Sequence, residues 1–152
     1  MMPHPAVLDA CAIGFGAVAG ALSRHQVGKL AASQIAKDPA RLGPTFERWH
    51  TAGINVAGSF ILGVVSAVPT LDTSPKQATA KFGCTSRQKL LLGIGFCGSF
   101  TTFSTYSVDV IAMLNNGQSI KAIQYICVNN MGGIAAAALG MMLVRRMFGK
   151  KR

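Results

Sequence analysis

Apolar residues dominate four stretches of the chain, approximately residues 6–22, 51–68, 90–114 and 122–144. Each approaches or exceeds the roughly 20 residues that cross the hydrocarbon of a bilayer as a helix. Polar, Pro-containing or basic segments separate them, around 27–50, 69–89 and 115–121. The pattern predicts an all-α integral membrane protein with four transmembrane helices, forming one membrane domain over residues 1–152. The first stretch lacks the positive flank of a secretory signal, because residues 1–10 carry Asp9 and no Lys or Arg. It is therefore expected to be a retained helix.

Polar exceptions inside these stretches carry more information than the stretches themselves. The third reads GIGFCGSFTTFSTYSVD from Gly93 to Asp109. Phe96, Phe100, Phe103 and Tyr106 recur at intervals of four and three, which places them along one helix face. Ser99, Thr101, Thr102, Ser104 and Thr105 lie between them where lipid-facing leucines are usual. Polar groups at membrane depth are costly unless they pair or line a wet path, so this helix is the first candidate for function. Its glycines and hydroxyls favour a broken helix, whose freed carbonyls can hold a cation. Asp109, near the far end, has three readings: capping the break, pairing with a basic residue, or reaching interfacial water. The last needs the fewest assumptions.

In the second stretch, Asn55 must find a partner; it either bonds a neighbouring helix or faces a pore as a donor, and the pore-facing role is preferred. In the fourth, Asn129 follows Tyr125 by one turn on the same face. Adjacent Asn130 points about 100° away on an α-helix, so at most one of the pair is expected to face a given path. Gly16 and Gly20 form a small-xxx-small pair that lets helices approach closely, and Gly53, Gly58 and Gly63 are read the same way. Arg24 ends the first stretch, where it either snorkels to the interface or concentrates anions at a pore mouth. The helix is expected to run on to about Ile35 before a loop, with Trp49 anchoring the second span at the interface. Asn115, Asn116 and Gly117 predict a tight turn.

Composition narrows the class. Only 13% of the residues are charged, about half the share of a soluble domain, which agrees with a membrane protein. A net charge of +10 would suggest nucleic acid in a soluble chain. Here Lys and Arg fall between the spans, so no nucleic-acid partner is expected. Their nine-to-six division between the two sides is weak; it mildly favours both termini inside and also permits insertion both ways. Cys11, Cys84, Cys97 and Cys127 show no paired spacing and are read as buried thiols. His4, His25 and His50 are isolated, which argues for no metal site of their own.

The sequence resembles the Fluc (CrcB-type) fluoride channels across all four spans. Its most specific match is Gly98-Ser99-Phe100-Thr101-Thr102-Phe103-Ser104-Thr105-Tyr106, against the signature G-[TGS]-F-T-T-F-S-[TS]-F. Gly20-Ala21-Leu22-Ser23-Arg24, Asn55 with Gly58-Ser59-Phe60 and Gly63, and Tyr125, Asn129 and Gly133 support it. The resemblance implies an antiparallel, dual-topology homodimer in the cell (plasma or inner) membrane, with two anion paths. It implies a third helix broken at Gly98–Ser99, whose backbone carbonyls hold a structural Na+ on the dimer axis. It further implies a pore with Phe103 and Tyr106 as an aromatic box, Phe100 among its aromatics, and Asn55, Thr102, Ser104, Thr105 and Asn129 as polar lining. Arg24 would stand at the vestibule. Tyr106 replaces the usual Phe, adding a hydroxyl that either donates to fluoride or narrows the path, and Asp109 replaces a common Glu.

The implied function is passive fluoride export that relieves fluoride toxicity. The main alternative is a small multidrug-resistance-type cation exporter, but that class needs a carboxylate inside the first span, and Asp9 lies only at its start. A scaffold glued by polar residues leaves the Thr/Ser/Phe alternation unexplained. No catalytic constellation lies within the spans, so an enzyme is not expected.

Overall fold

The computed structural model describes residues 4–71 and 83–148, and the side chains among them except at positions 44–47. Pro75, Lys76 and Lys81, in the polar segment expected between the second and third spans, and Lys150, Lys151 and Arg152, after the fourth, lie outside the described residues. Helix α1 spans Pro5–Lys37 and α2 spans Pro39–Ala67. Only Asp38 separates them, so the loop expected between about Ile35 and His50 is a helical hairpin instead. Two local features explain it. Pro39 occupies the first helical turn, where its missing N–H costs nothing. The Asp38 side chain caps that turn, accepting from the Arg41 N–H at 3.2 Å. With 33 residues, α1 is about 50 Å long against about 30 Å of hydrocarbon, so the hairpin end reaches beyond the membrane core.

The third span is built from pieces. A capping box of Thr85 and Gln88 starts α3 (Ser86–Lys89), which passes into a π-helical segment, Leu90–Cys97, and a last turn, α4 (Gly98–Phe100). The break falls at Thr101 and Thr102, whose backbones are extended, and α5 (Phe103–Asn115) follows. This corrects the expected position, Gly98–Ser99, because Gly98 keeps helical angles (φ −62°, ψ −30°). Glycine permits a break, but side chains that reward extended backbone decide where it falls. Thr102 caps α5 by accepting from the Thr105 N–H at 3.2 Å, and Asn55 bonds its backbone from across the gap.

The turn at Asn115–Gly117 is as expected. Gly117 has φ +69°, and the following N–H of Gln118 reaches back to the Met113 carbonyl at 2.9 Å. The last span comprises α6 (Ser119–Cys127), a second π segment (Val128–Gly132) and α7 (Gly133–Phe148).

Glycines hold the helices together. A Cβ at Gly16 or Gly20 would collide with the carbonyl oxygens of Leu91 and Phe96 in the third span. Gly95 returns the contact, since a Cβ there would lie 2.6 Å from the Ile13 oxygen. On the other side α2 meets α7, where Gly63 lies against Ala137 and a Cβ at Gly140 would be 2.5 Å from the Phe60 oxygen. The small-residue reading of Gly16, Gly20, Gly58 and Gly63 therefore stands, whereas Gly53 has open space beside it and borders an apolar cavity.

Tyr125, Ala122, Ala52 and Met113 form a fully enclosed cluster. Trp49, expected as an interfacial anchor, packs edge-on against Tyr125 at 5.6 Å. Only Cys97 among the four cysteines is buried; Cys11 and Cys127 lie on the outer surface, where a thiol beside lipid behaves as any small apolar group. Large apolar residues such as Phe15, Val18, Ile94 and Ile134 also face outward. Among the described residues, three helices are long and apolar enough to cross a membrane, Pro5–Lys37, Arg48–Ala67 and Ser119–Phe148. The broken third span lies among them.

Candidate functional site

The helix break opens onto a cavity of about 290 Å³ walled by α2, the third span and the last span. Asn55, Thr102, Phe103, Tyr106 and Asn129, all singled out by the sequence, border it. Ser59, Thr101 and Asn130 border it as well. Both adjacent asparagines thus face one cavity, contrary to the expectation from α-helical geometry. The π segment explains this: more residues per turn leave a smaller angle between neighbours.

Asn55 is the splint of the break. Its Nδ2 donates to the Thr102 carbonyl at 3.3 Å and to Asn129 Oδ1 at 2.8 Å, and its Oδ1 accepts from the Thr102 N–H at 2.8 Å. Both hydrogens of the carboxamide are therefore engaged with protein, so Asn55 shapes the cavity rather than presenting a spare donor. Thr102 is 7% exposed. Its hydroxyl donates to Thr105 Oγ1 at 2.9 Å and lies 3.3 Å from Ser104 Oγ. Ser104 and Thr105 are exposed on the first turn of α5, outside the cavity wall.

The aromatics divide into two groups. Phe103 and Tyr106 sit 5.5 Å apart with tilted rings, and Tyr106 stacks on Tyr125 at 5.7 Å. Phe100 is buried, stacks on Phe96 at 5.5 Å, and borders a separate apolar cavity of about 640 Å³. It is not brought together with the other candidate pore residues.

Arg24 lies well inside α1 rather than at its end. Its Nη1 donates to the Thr101 carbonyl at 3.3 Å, so a cation on α1 tethers the break beside the residue that Asn55 holds from α2. Asp109 is paired, not left to interfacial water. It accepts from the Tyr125 hydroxyl at 2.9 Å and lies 3.6 Å from Arg48 Nε. Replacing Tyr125 with Phe removes a donor from a part-buried carboxylate, and a loss of about 1–3 kcal/mol of stability is expected, read as a lower unfolding midpoint in detergent.

The break also separates two ends of opposite polarity. Among the described residues, no backbone donor reaches the carbonyls of Gly98 or Ser99, which close the first half of the helix. The first N–H groups of α5, at Phe103 and Ser104, open the second half, with the positive end of its dipole. One end suits a cation and the other an anion.

Ser59 and Asn130 were missed as site residues. Ser59 was visible only as part of a short motif, and the second facing asparagine depended on a π turn that periodicity does not signal.

A broken helix splinted by a carboxamide and a guanidinium, beside a polar cavity within an apolar helical shell, defines a multi-pass membrane protein built around a small polar site. Residues 11–141 match the model of the family described as "CrcB-like protein, Camphor Resistance (CrcB)", and the chain belongs to that family. It is 31% identical over 136 residues to a fluoride-specific ion channel FluC of Hyphomonas neptunium, covering 90% of this chain and 94% of the relative. A FluC of Sphingopyxis alaskensis is 30% identical over 87% of this chain and 91% of its own length. A FluC of Leptospira interrogans is 39% identical over 98 residues, 64% of this chain and 69% of the relative.

Proposed function

We propose that this chain is a passive, fluoride-selective channel of the cell membrane that lets cytoplasmic fluoride leave and so relieves fluoride toxicity. The observation that carries the reading is the cavity at the helix break. It combines hydroxyls, aromatic edges and the N-terminal end of α5 without a carboxylate in its wall. Fluoride is small and strongly hydrated, so its water must be replaced by donors at close range. Hydroxyl groups and the positive edges of Phe103 and Tyr106 supply them without a ring of charge. The names of the relatives from Hyphomonas and Sphingopyxis, which align over nearly the whole chain, point the same way. A channel of this kind is a transporter and not an enzyme.

The working unit in this proposal is an antiparallel homodimer with two anion pores. A Na+ ion on its axis would be held by the Gly98 and Ser99 carbonyls, which have no backbone donor among the described residues. Its fixed charge would favour anions nearby in a medium of low dielectric. The cation-exporter alternative is weakened, because Asp9, the acidic residue near the start of the first span, is paired with Arg87 at 3.0 Å.

Anion efflux from liposomes containing the purified protein tests this directly. Fluoride should empty from the vesicles while chloride stays. Fluoride retained in vesicles that hold folded protein would sink the channel reading.

A further inference from the structure

Four side-chain hydroxyls border the cavity at the break, and they are not equivalent. The Thr101 hydroxyl donates to the Cys97 carbonyl at 2.9 Å, and that of Thr102 donates to Thr105 Oγ1 at 2.9 Å. Ser59 and Tyr106, by contrast, donate to no acceptor among the described residues.

Tyr106 has its oxygen fixed all the same. Asn130 Nδ2 donates to it at 3.1 Å and to the Ile126 carbonyl at 2.9 Å. A carbonyl can only accept, so the second bond fixes which end of the carboxamide is nitrogen. Its partner in the first bond is then necessarily a hydrogen, and the phenol oxygen is the acceptor. The phenol proton must therefore turn elsewhere, while the ring is held between Phe103 and Tyr125. Ser59 Oγ is kept open by Gly133, where a Cβ would approach to 3.3 Å.

We propose that the Ser59 and Tyr106 hydroxyls form a two-donor subsite for fluoride in this cavity, with Asn130 as the residue that positions the phenol. The inference rests on the channel reading and deepens it. It resolves the hydroxyl of Tyr106 as a donor rather than an obstruction. A hydroxyl donating to an anion forms a charge-assisted bond, and fluoride accepts such bonds at shorter range than chloride does.

The test is fluoride flux through the wild-type protein in liposomes as a function of fluoride concentration, compared with Tyr106→Phe and Ser59→Ala. Loss of one charge-assisted bond should raise the half-saturating concentration about tenfold for Tyr106→Phe, with a smaller rise for Ser59→Ala. A ring-fluorinated tyrosine at position 106, assayed at a pH where it stays protonated, is a stronger donor of nearly the same shape. It should shift the half-saturating concentration downward, which a purely structural role of the ring would not do. If both substitutions leave saturation unchanged while the wild type conducts, the subsite is wrong and the channel reading survives. If the fluorinated side chain shifts saturation in the same direction as Phe, the donor role is likewise overturned. A wild type that passes no fluoride removes both readings together.

Discussion

Asn55→Leu is expected to reduce fluoride efflux to that of protein-free vesicles. Leucine matches asparagine in size but strands the Thr102 N–H, the Thr102 carbonyl and Asn129 Oδ1 together. At about 1–3 kcal/mol for each unsatisfied buried group, the three sum to about 3–9 kcal/mol, enough to dismantle the break. Asn55→Asp separates geometry from charge. The carboxylate can still accept from the Thr102 N–H, yet it cannot donate, and it sets a negative charge in the path of an anion. Both variants should lose flux, with the aspartate variant retaining more of the fold by its unfolding midpoint. Wild-type efflux from the leucine variant would show that the splint is dispensable.

The second large effect is expected at Gly16. A methyl group there meets the Leu91 carbonyl oxygen, and the facing residue, Gly95, has no side chain to rotate away. Both sides of the contact are backbone, so relief requires α1 and the π segment to separate. Gly16→Ala should cost about 1–3 kcal/mol or more by overpacking. Gly14→Ala, half a turn earlier, is the control, because nothing lies within 4 Å of a Cβ at that position. It should be neutral or stabilise by about 0.5–1 kcal/mol, the usual gain of Ala over Gly within a helix. Thermal unfolding in detergent reads both, and only Gly16→Ala should lower the midpoint. Equal shifts would argue against close helix contact at Gly16.

Apolar length and small-residue spacing made the helical membrane class and the Gly16 and Gly20 contacts legible. The Phe/Thr/Ser alternation marked the span that breaks beside the cavity; three of its candidate pore residues, Thr102, Phe103 and Tyr106, border that cavity, and Phe100, Ser104 and Thr105 do not. What stayed hidden depended on partners distant in sequence. Periodicity cannot show that Asn55 spends its hydrogens on Thr102 and Asn129, that Arg24 reaches Thr101, or that Tyr125 and Arg48 engage Asp109. The helical hairpin was missed because Pro39 looked like a breaker when it was an opener. The break was placed three residues early because flexibility was weighed above capping.

The two π segments lie in the spans that wall the cavity, and each carries one residue more than an α-helix of the same rise. Each is therefore a place where the chain can lose a residue with little change of helix phase. Removing one residue from 128–132 would restore α geometry there and leave the helix on either side nearly in register, because the π turn holds its extra residue within one wider turn. Tyr125, before the segment, would keep its seat in the core, and Gly140, beyond it, would still face the Phe60 backbone. The change would be confined to the wall itself, where Asn129 and Asn130 would spread apart. Single-residue insertions and deletions between related chains should accordingly be sought inside these spans as well as in the loops that join them.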